Sequence, residues 1–248
     1  MNDRVKVKIG IVIPAFNPLV EYEFARMIPR DVSFHIARTD PTINIQTTIV
    51  TADHMRSMAT GVLGAVKLLV HVKPDVIAYA FGMGAAVLGL DGEKRLVAEM
   101  QEESKVPCLT TASAQVEACA ELDVRSVSVV SGHTSERTEA TLAYLKESGI
   151  SVINTKYVPE EEIKAAGGLF DYPQNKWLEH AIDALDPSAD GVYIAGGAYR
   201  SLDILEEFEK KTGKVLITNP PPTLWACLRR ANYKTPIPQF GALLQEHL

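Results

Sequence analysis

Ser126-Val-Ser-Val-Val-Ser-Gly-His-Thr134 is an apolar run that ends in a small, polar-edged turn, and Ile9-Gly-Ile-Val-Ile-Pro-Ala-Phe-Asn17 repeats that pattern near the other end of the chain. The correspondence continues in order. Asp75-Val-Ile-Ala-Tyr-Ala-Phe-Gly82 parallels Asp190-Gly-Val-Tyr-Ile-Ala-Gly196, and Lys105-Val-Pro-Cys-Leu-Thr-Thr111 parallels Lys214-Val-Leu-Ile-Thr-Asn219. The last pair is followed by an Ala-Cys dipeptide each time, at Ala118-Cys119 and Ala226-Cys227. An ordered repeat of this kind implies two similar halves. Short apolar runs alternate with longer segments of helical period, the pattern of a parallel sheet flanked by helices, so the fold class is α/β. Strands are expected over 7–13, 44–51, 76–80, 106–110, 127–130, 151–156, 192–195 and 215–218, and helices over 55–71, 90–103, 135–148, 176–185 and 201–212. Gly149 and Gly213 stand where helix-ending glycines belong, and His35 alternates in a strand-like run.

The chain has 248 residues, 46% hydrophobic and 23% charged, enough to bury a substantial core. A net charge of −6 gives no basic footprint for nucleic acid or an anionic membrane. Small molecules and other subunits remain as partners. No apolar run approaches the roughly 20 residues of a bilayer span, and the charged segment 1–8 lacks a signal-peptide core. A cytoplasmic protein is expected. Cys108, Cys119 and Cys227 form no Cys-x-x-Cys pair, which argues against a disulfide framework and a zinc site. No histidine and carboxylate spacing suggests a metal.

Ligands of open parallel sheets sit beyond the carboxyl ends of strands. Facing halves would therefore gather the loops at Asn17, Gly82, Thr111, His133, Gly196 and Asn219 around one cleft. Phe81-Gly-Met-Gly-Ala-Ala-Val-Leu-Gly89 does not match Gly-x-Gly-x-x-Gly, because Val87 fills the third position. Amides around Gly82, Met83 and Gly84 suit a carboxylate or phosphate; the alternative is glycine for a tight turn and close packing. His133 can act as acid or base just past its strand, or be a surface histidine beside a helix cap at Thr134 or Ser135. His54, His71, His180 and His247 read as solvated. Cys108 reads as a buried apolar residue and no cysteine as an activated thiolate.

Five segments carry a family resemblance: 9–24, 75–82, 129–137, 193–197 and 218–226, the last reading Thr218-Asn-Pro-Pro-Pro-Thr-Leu-Trp-Ala226. Together they resemble maleate cis-trans isomerases and arylmalonate decarboxylases, within the aspartate/glutamate/hydantoin racemase superfamily, over nearly the whole chain. The resemblance implies two pseudo-symmetric lobes, each a mainly parallel four-stranded sheet flanked by helices, with the active site between them. The lobes would be 1–116 plus 220–248, and 117–219. It also implies no cofactor and no metal, a small carboxylate substrate, and a homodimer or higher homo-oligomer.

The superfamily's two cysteines fall on Phe81 and on Ala195, or on Gly196 if the second loop slides by one residue. The tyrosine of the second-lobe loop falls on His133, while Asn17 matches the asparagine of maleate isomerases and Glu21 and Glu23 follow the pattern. Without thiols, two-base racemisation and thiolate addition cannot run unchanged. The remaining parts suit carbanion chemistry. Amides at Gly82 to Gly84, Gly196 and Gly197, with Asn17, can hold a carboxylate and stabilise an enediolate. His133 moves the proton, Tyr199 is an alternative donor, and Arg200 pairs with a second carboxylate or solvates its helix start. Thr134 and Ala195 complete the expected substrate contacts. Phe81 and Met83 form an apolar wall that favours a ring or alkyl group, and Glu21 and Glu23 order the first loop or touch substrate. The expected function is a cofactor-independent lyase or isomerase of a small, unsaturated or cyclic carboxylic acid. The alternatives are a hydrolase of a lactone or cyclic amide, and a catalytically silent carboxylate-binding protein.

Overall fold

The computed structural model describes residues 5–39, 51–197 and 199–248. The first sheet holds β1 (Val7–Pro14), β2 (Val32–Thr39), β3 (Val76–Tyr79) and β4 (Cys108–Thr110) in the order β2-β1-β3-β4. The second holds β5 (Ser126–Ser131), β6 (Ser151–Tyr157), β7 (Gly191–Ala195) and β8 (Val215–Ile217) in the order β6-β5-β7-β8. All ladders are parallel and the two orders are the same permutation. The central strands β3 and β7 are buried along their whole length, as expected of apolar runs covered on both faces.

The helices follow the strands in the same rhythm: α1 (Leu19–Met27), α2 (Ala52–Ala59), α3 (Val62–Leu69), α4 (Gly82–Ala86), α5 (Gly89–Ser104) and α6 (Thr111–Glu121) in the first half. The second half has α7 (Ser135–Glu147), α8 (Glu160–Ala165), α9 (Gln174–Ala184), α10 (Leu202–Thr212), α11 (Pro220–Arg230) and α12 (Ala242–Glu246). Matching residues fix matching joints. Asp75 accepts from the Lys8 amide at the start of β1 (2.8 Å), and Asp190 accepts from the Ser126 amide at the start of β5 (2.8 Å). Gly149 and Gly213 end their helices with φ of 82° and 67°, in the left-handed region where glycine carries no Cβ penalty.

Most of the expected strand 44–51 lies outside the described residues, and Thr51 caps α2. β2, from the run around His35, forms one edge of the first sheet and β4 the other. The expected helix 55–71 is two helices, broken at Thr60–Gly61 and closed by a 3-10 turn, Val70–Val72. Contrary to the sequence expectation, Ala52–Val72 reaches the length and mean hydropathy, 1.2, of a membrane span. Its break, and the burial of Met55, Met58, Val62, Val66 and Leu69 against the protein core, account for that apolarity. The expected lobe boundary at 116/117 falls inside α6.

Setting Ala118-Cys119 on Ala226-Cys227 places Thr111 opposite Asn219 and Gln115 opposite Thr223. Thr111 Oγ1 lies 2.8 Å from Thr223 Oγ1, and Gln115 Nε2 donates to Asn219 Oδ1 at 2.9 Å. These two buried contacts exchange with each other when the halves are exchanged. One apolar core also runs through both halves, joining Ile9 and Ile11 of β1 to Val130 of β5 and Ile194 of β7.

A second tie lies nearer the surface of the cleft. Glu23 of α1, fully buried, accepts from the Ser201 amide and hydroxyl at 2.8 Å each and from the Leu202 amide at 3.4 Å, capping α10. Glu23→Ala strands these donors in the interior and is expected to lower stability by about 3 kcal/mol, measured by chemical denaturation. Burial raises the Glu23 pKa, outweighing the Ser201 bonds that lower it. A raised folded pKa means that this group's contribution is full below its unfolded value and declines as pH rises. The stability margin of the wild type over Glu23→Gln should therefore shrink from pH 4.5 toward neutrality.

Candidate active site

In each sheet the chain leaves in opposite directions from its two central strands, β1 and β3 or β5 and β7, which opens a crevice at their carboxyl ends. The two crevices face each other. Between them lies a narrow cleft lined by residues of both halves. Loops after six strands contribute: Phe16 and Asn17, Phe81 and Met83, Thr111, His133 and Arg137, Gly197 and Tyr199, and Asn219.

Phe16 and Phe81 make an aromatic wall, their rings edge to face with centroids 6.1 Å apart. The Phe81 ring lies on Gly84, where a Cβ would stand 2.1 Å from it, so Gly84 serves close packing. A Cβ at Gly82 would lie 3.3 Å from Asn219 Nδ2, Gln115 Oε1 and Thr111 Cγ2, against the contacts that join the halves. Gly82, Met83 and Gly84 are the first residues of α4, whose leading amides have no acceptor within the helix.

Asn17 is a brace across the cleft. Its Nδ2 donates to the Gly197 carbonyl at 3.1 Å, and its Oδ1 accepts from the amides of Leu19 (2.8 Å) and Val20 (3.2 Å), closing the start of α1. Tyr199 lines the cleft, but its hydroxyl donates to the Ile194 carbonyl at 2.8 Å, and burial raises its pKa well above 10. That proton is held in place by the fold. Ala195 is the buried last residue of β7, and Thr134 is the exposed N-cap of α7. Neither lines the cleft.

His133 and Arg137 sit one helical turn apart, on the loop after β5 and in the first turn of α7. Nδ1 of His133 and Nε of Arg137 are both buried without hydrogen-bond partners. Burial, with the neighbouring positive charge of Arg137, lowers the His133 pKa to about 3, so the ring is neutral near pH 7. Part of the residue still reaches solvent, because the two side chains also border an outer groove with Tyr157, Glu160 and Leu169. Burial lowers the Arg137 pKa as well. A desolvated guanidinium without a counter-charge, beside a neutral imidazole with an unpartnered ring nitrogen, calls for an anion.

The cation at the cleft is thus Arg137, which sequence reasoning passed over as a first-turn helix residue. Arg200 does not line the cleft; it stands near Asp203, whose carboxyl is held below its ordinary range by Arg26 first and by Arg200 to a lesser degree. A signal for Arg137 existed in the sequence. The positive end of a helix disfavours cations, so arginine in a first turn needs another reason to be there. Glu21 pairs with Arg38 at the surface, leaving Glu23 as the acidic residue at the cleft.

No thiol reaches this cleft. All three cysteines are buried, and burial raises the pKa of each, to about 12 for Cys119. The folded protein is expected to resist iodoacetamide while the denatured chain takes up three labels by mass spectrometry.

Comparison with known proteins places this architecture. The family model described as arylmalonate decarboxylase matches residues 58–244. A maleate isomerase of Pseudomonas putida is 25% identical over 251 residues, 96% of each chain. A Cys-to-Ala variant of the maleate isomerase Iso from Pseudomonas putida, solved with maleate, superposes with a TM-score of 0.86 at 20% identity, covering 97% of this chain and 98% of that one. A Cys-to-Ser variant of the Nocardia farcinica maleate cis-trans isomerase, with a covalently bound succinylcysteine intermediate, gives 0.83 at 22% identity, over 98% and 99% of the two chains.

Proposed function

This chain belongs to the arylmalonate decarboxylase family, and from that premise we propose that it is a cofactor-independent lyase or isomerase of a small carboxylic acid, working by acid/base chemistry without a thiol. The observation that carries the reading is the pair of buried, unpartnered nitrogens of His133 and Arg137 beside a small, mostly apolar cleft. Arg137 receives a substrate carboxylate, the leading amides of α4 and the spare Asn17 amide hydrogen receive a developing enediolate, and His133 moves the proton. The aromatic wall of Phe16 and Phe81 favours a ring, alkyl or unsaturated group.

The low pKa of His133 fits this cycle through the ligand's own charge. A carboxylate bound beside the ring offsets the field of Arg137 and stabilises the imidazolium, so the site takes up a proton together with its substrate. In a decarboxylation the bond to one carboxylate breaks, its electron pair stays on the adjacent carbon as an enediolate, carbon dioxide leaves, and the imidazolium delivers its proton to that carbon. Isomerisation and hydration or dehydration use the same proton carrier. The succinylcysteine of the Nocardia enzyme shows that a relative forms a bond to sulfur; a chain without a thiol at its cleft needs another group.

We also take the protein to act in the cytoplasm, as three unpaired buried cysteines suit, and as a homodimer or higher homo-oligomer. The exposed Ile153 and Tyr157 on edge strand β6, with Ile182 of α9, support self-association, which light scattering would test. Residues 1–116 with 220–248 as one lobe and 117–219 as the other remain our division, supported by the packing of α11 against α1 and β3.

Proton NMR in deuterated buffer with small dicarboxylic, unsaturated and cyclic acids tests the function. Turnover or deuterium uptake that survives iodoacetamide supports thiol-free catalysis. Loss on alkylation, or silence with every acid, overturns it.

A further inference from the structure

We propose that Gly196 is a positioning residue for His133: by carrying no side chain it leaves open the seat that the imidazole occupies, facing Met83 across the end of the cleft. The inference rests on the acid/base reading above for its functional meaning but is tested independently of turnover. A Cβ built on Gly196 would lie 2.5 Å from His133 Nε2, 3.0 Å from its Cδ2 and 3.5 Å from Met83 Sδ. The imidazole therefore stands in the volume through which a side chain at 196 would enter the cleft. A side chain at 196 would be aimed at His133 and Met83, whereas Ala195 is the buried last residue of β7.

The backbone that carries the ring is fixed, so a Cβ at 196 would have to displace the ring itself. Its backbone amide donates to Ser131 Oγ at 3.1 Å, and the preceding Gly132 is wedged so that a Cβ there would meet Leu169 Cδ2 at 2.5 Å and Trp177 Cη2 at 2.8 Å. The repeat explains what Gly196 does by showing its counterpart. Aligning Asp75 on Asp190 sets Phe81 against Gly196, and aligning Ile9 on Ser126 sets Phe16 against His133. The first half thus fills the two positions with a pair of packed aromatic rings, and the second half fills them with an imidazole and a vacancy for it. The same two positions make an apolar wall on one side of the cleft and seat a proton carrier on the other.

Gly196 also has φ of +93°, which alone would disfavour other residues. A double-mutant cycle separates the two causes. Gly196→Ala, His133→Ala and the double variant are compared by denaturation midpoint, and the His133 ring is titrated by NMR in wild type and in Gly196→Ala. If the seat matters, removing His133 recovers much of the midpoint lost in Gly196→Ala, including the case where Gly196→Ala folds only in the His133→Ala background. The displaced ring should also titrate near its ordinary value of about 6.5, whereas the wild-type ring stays unprotonated at pH 4.5. The groups that bear on this titration are Arg137 in the first turn of α7, Glu23 and Tyr199 within the cleft, and Tyr157 and Glu160 across the outer groove. An unchanged midpoint loss in the His133→Ala background, failure of both variants to fold, or an unchanged titration would show that backbone conformation alone requires the glycine, and would overturn the proposal. Such a result would leave the acid/base reading standing, since that reading is judged by deuterium uptake in the wild type.

Discussion

Arg137→Gln should weaken binding of a small carboxylate about a hundredfold or more, the scale of removing one partner of a buried charge pair. The same substitution should leave the ligand-free protein as stable as before, or more so, because it removes a desolvated cation with no partner among the described residues. That combination separates a ligand-binding arginine from a structural one. Arg137→Lys keeps the charge but not the planar fork, so affinity returns only in part. The His133 pKa should rise in Arg137→Gln, yet stay below 6.5, because burial is the larger cause of its depression. Ligand titration by NMR or calorimetry, paired with denaturation, reads all three. Unaltered affinity with a loss of stability would assign Arg137 to the fold.

His133→Gln should lower kcat by about 10^2- to 10^4-fold, the usual contribution of a positioned general acid or base, while ligand affinity changes only a few-fold. Proton uptake on binding, measured by calorimetry in buffers of different ionisation enthalpy, should vanish with the imidazole. The variant also has a signature in acid. A folded pKa of about 3 against about 6.5 unfolded means that neutral His133 contributes stability that is full above 6.5 and is lost as pH falls toward 3. His133→Gln should therefore lose less stability than wild type over that window. A variant with wild-type kcat would exclude the ring from proton transfer.

Much of this was legible in the chain because parallel-sheet physics writes plain text. Runs such as Gly-Ile-Val-Ile at 10–13 and Val-Tyr-Ile-Ala at 192–195 are apolar throughout because both sheet faces are covered, and their repetition gave the two halves and the loops that meet. The edge strand β2 was harder: half-buried residues such as Ser33 and His35 interrupt its apolar pattern. The break at Thr60–Gly61 was hidden inside one continuous helical period. Within the site, His133 was found by its place after a strand. Arg137 was missed because what marks it is the lack of a partner, and Tyr199 was overread because its hydroxyl is committed to Ile194, a contact between elements that no spacing reveals.

The reciprocal contacts of Thr111 with Thr223 and of Gln115 with Asn219 follow a rule of symmetric assemblies. In an isologous dimer, every contact of residue i on one subunit with j on the other recurs as j with i. These two buried contacts obey that rule within one polypeptide, so the seam between the halves has the contact pattern of a symmetric dimer interface. A symmetric dimer must place the same residues on both sides of its axis. A single chain is free of that constraint, and Phe16 and Phe81 against His133 and Gly196 are where its two halves depart from two-fold symmetry and offer different chemistry on the two sides of one cleft.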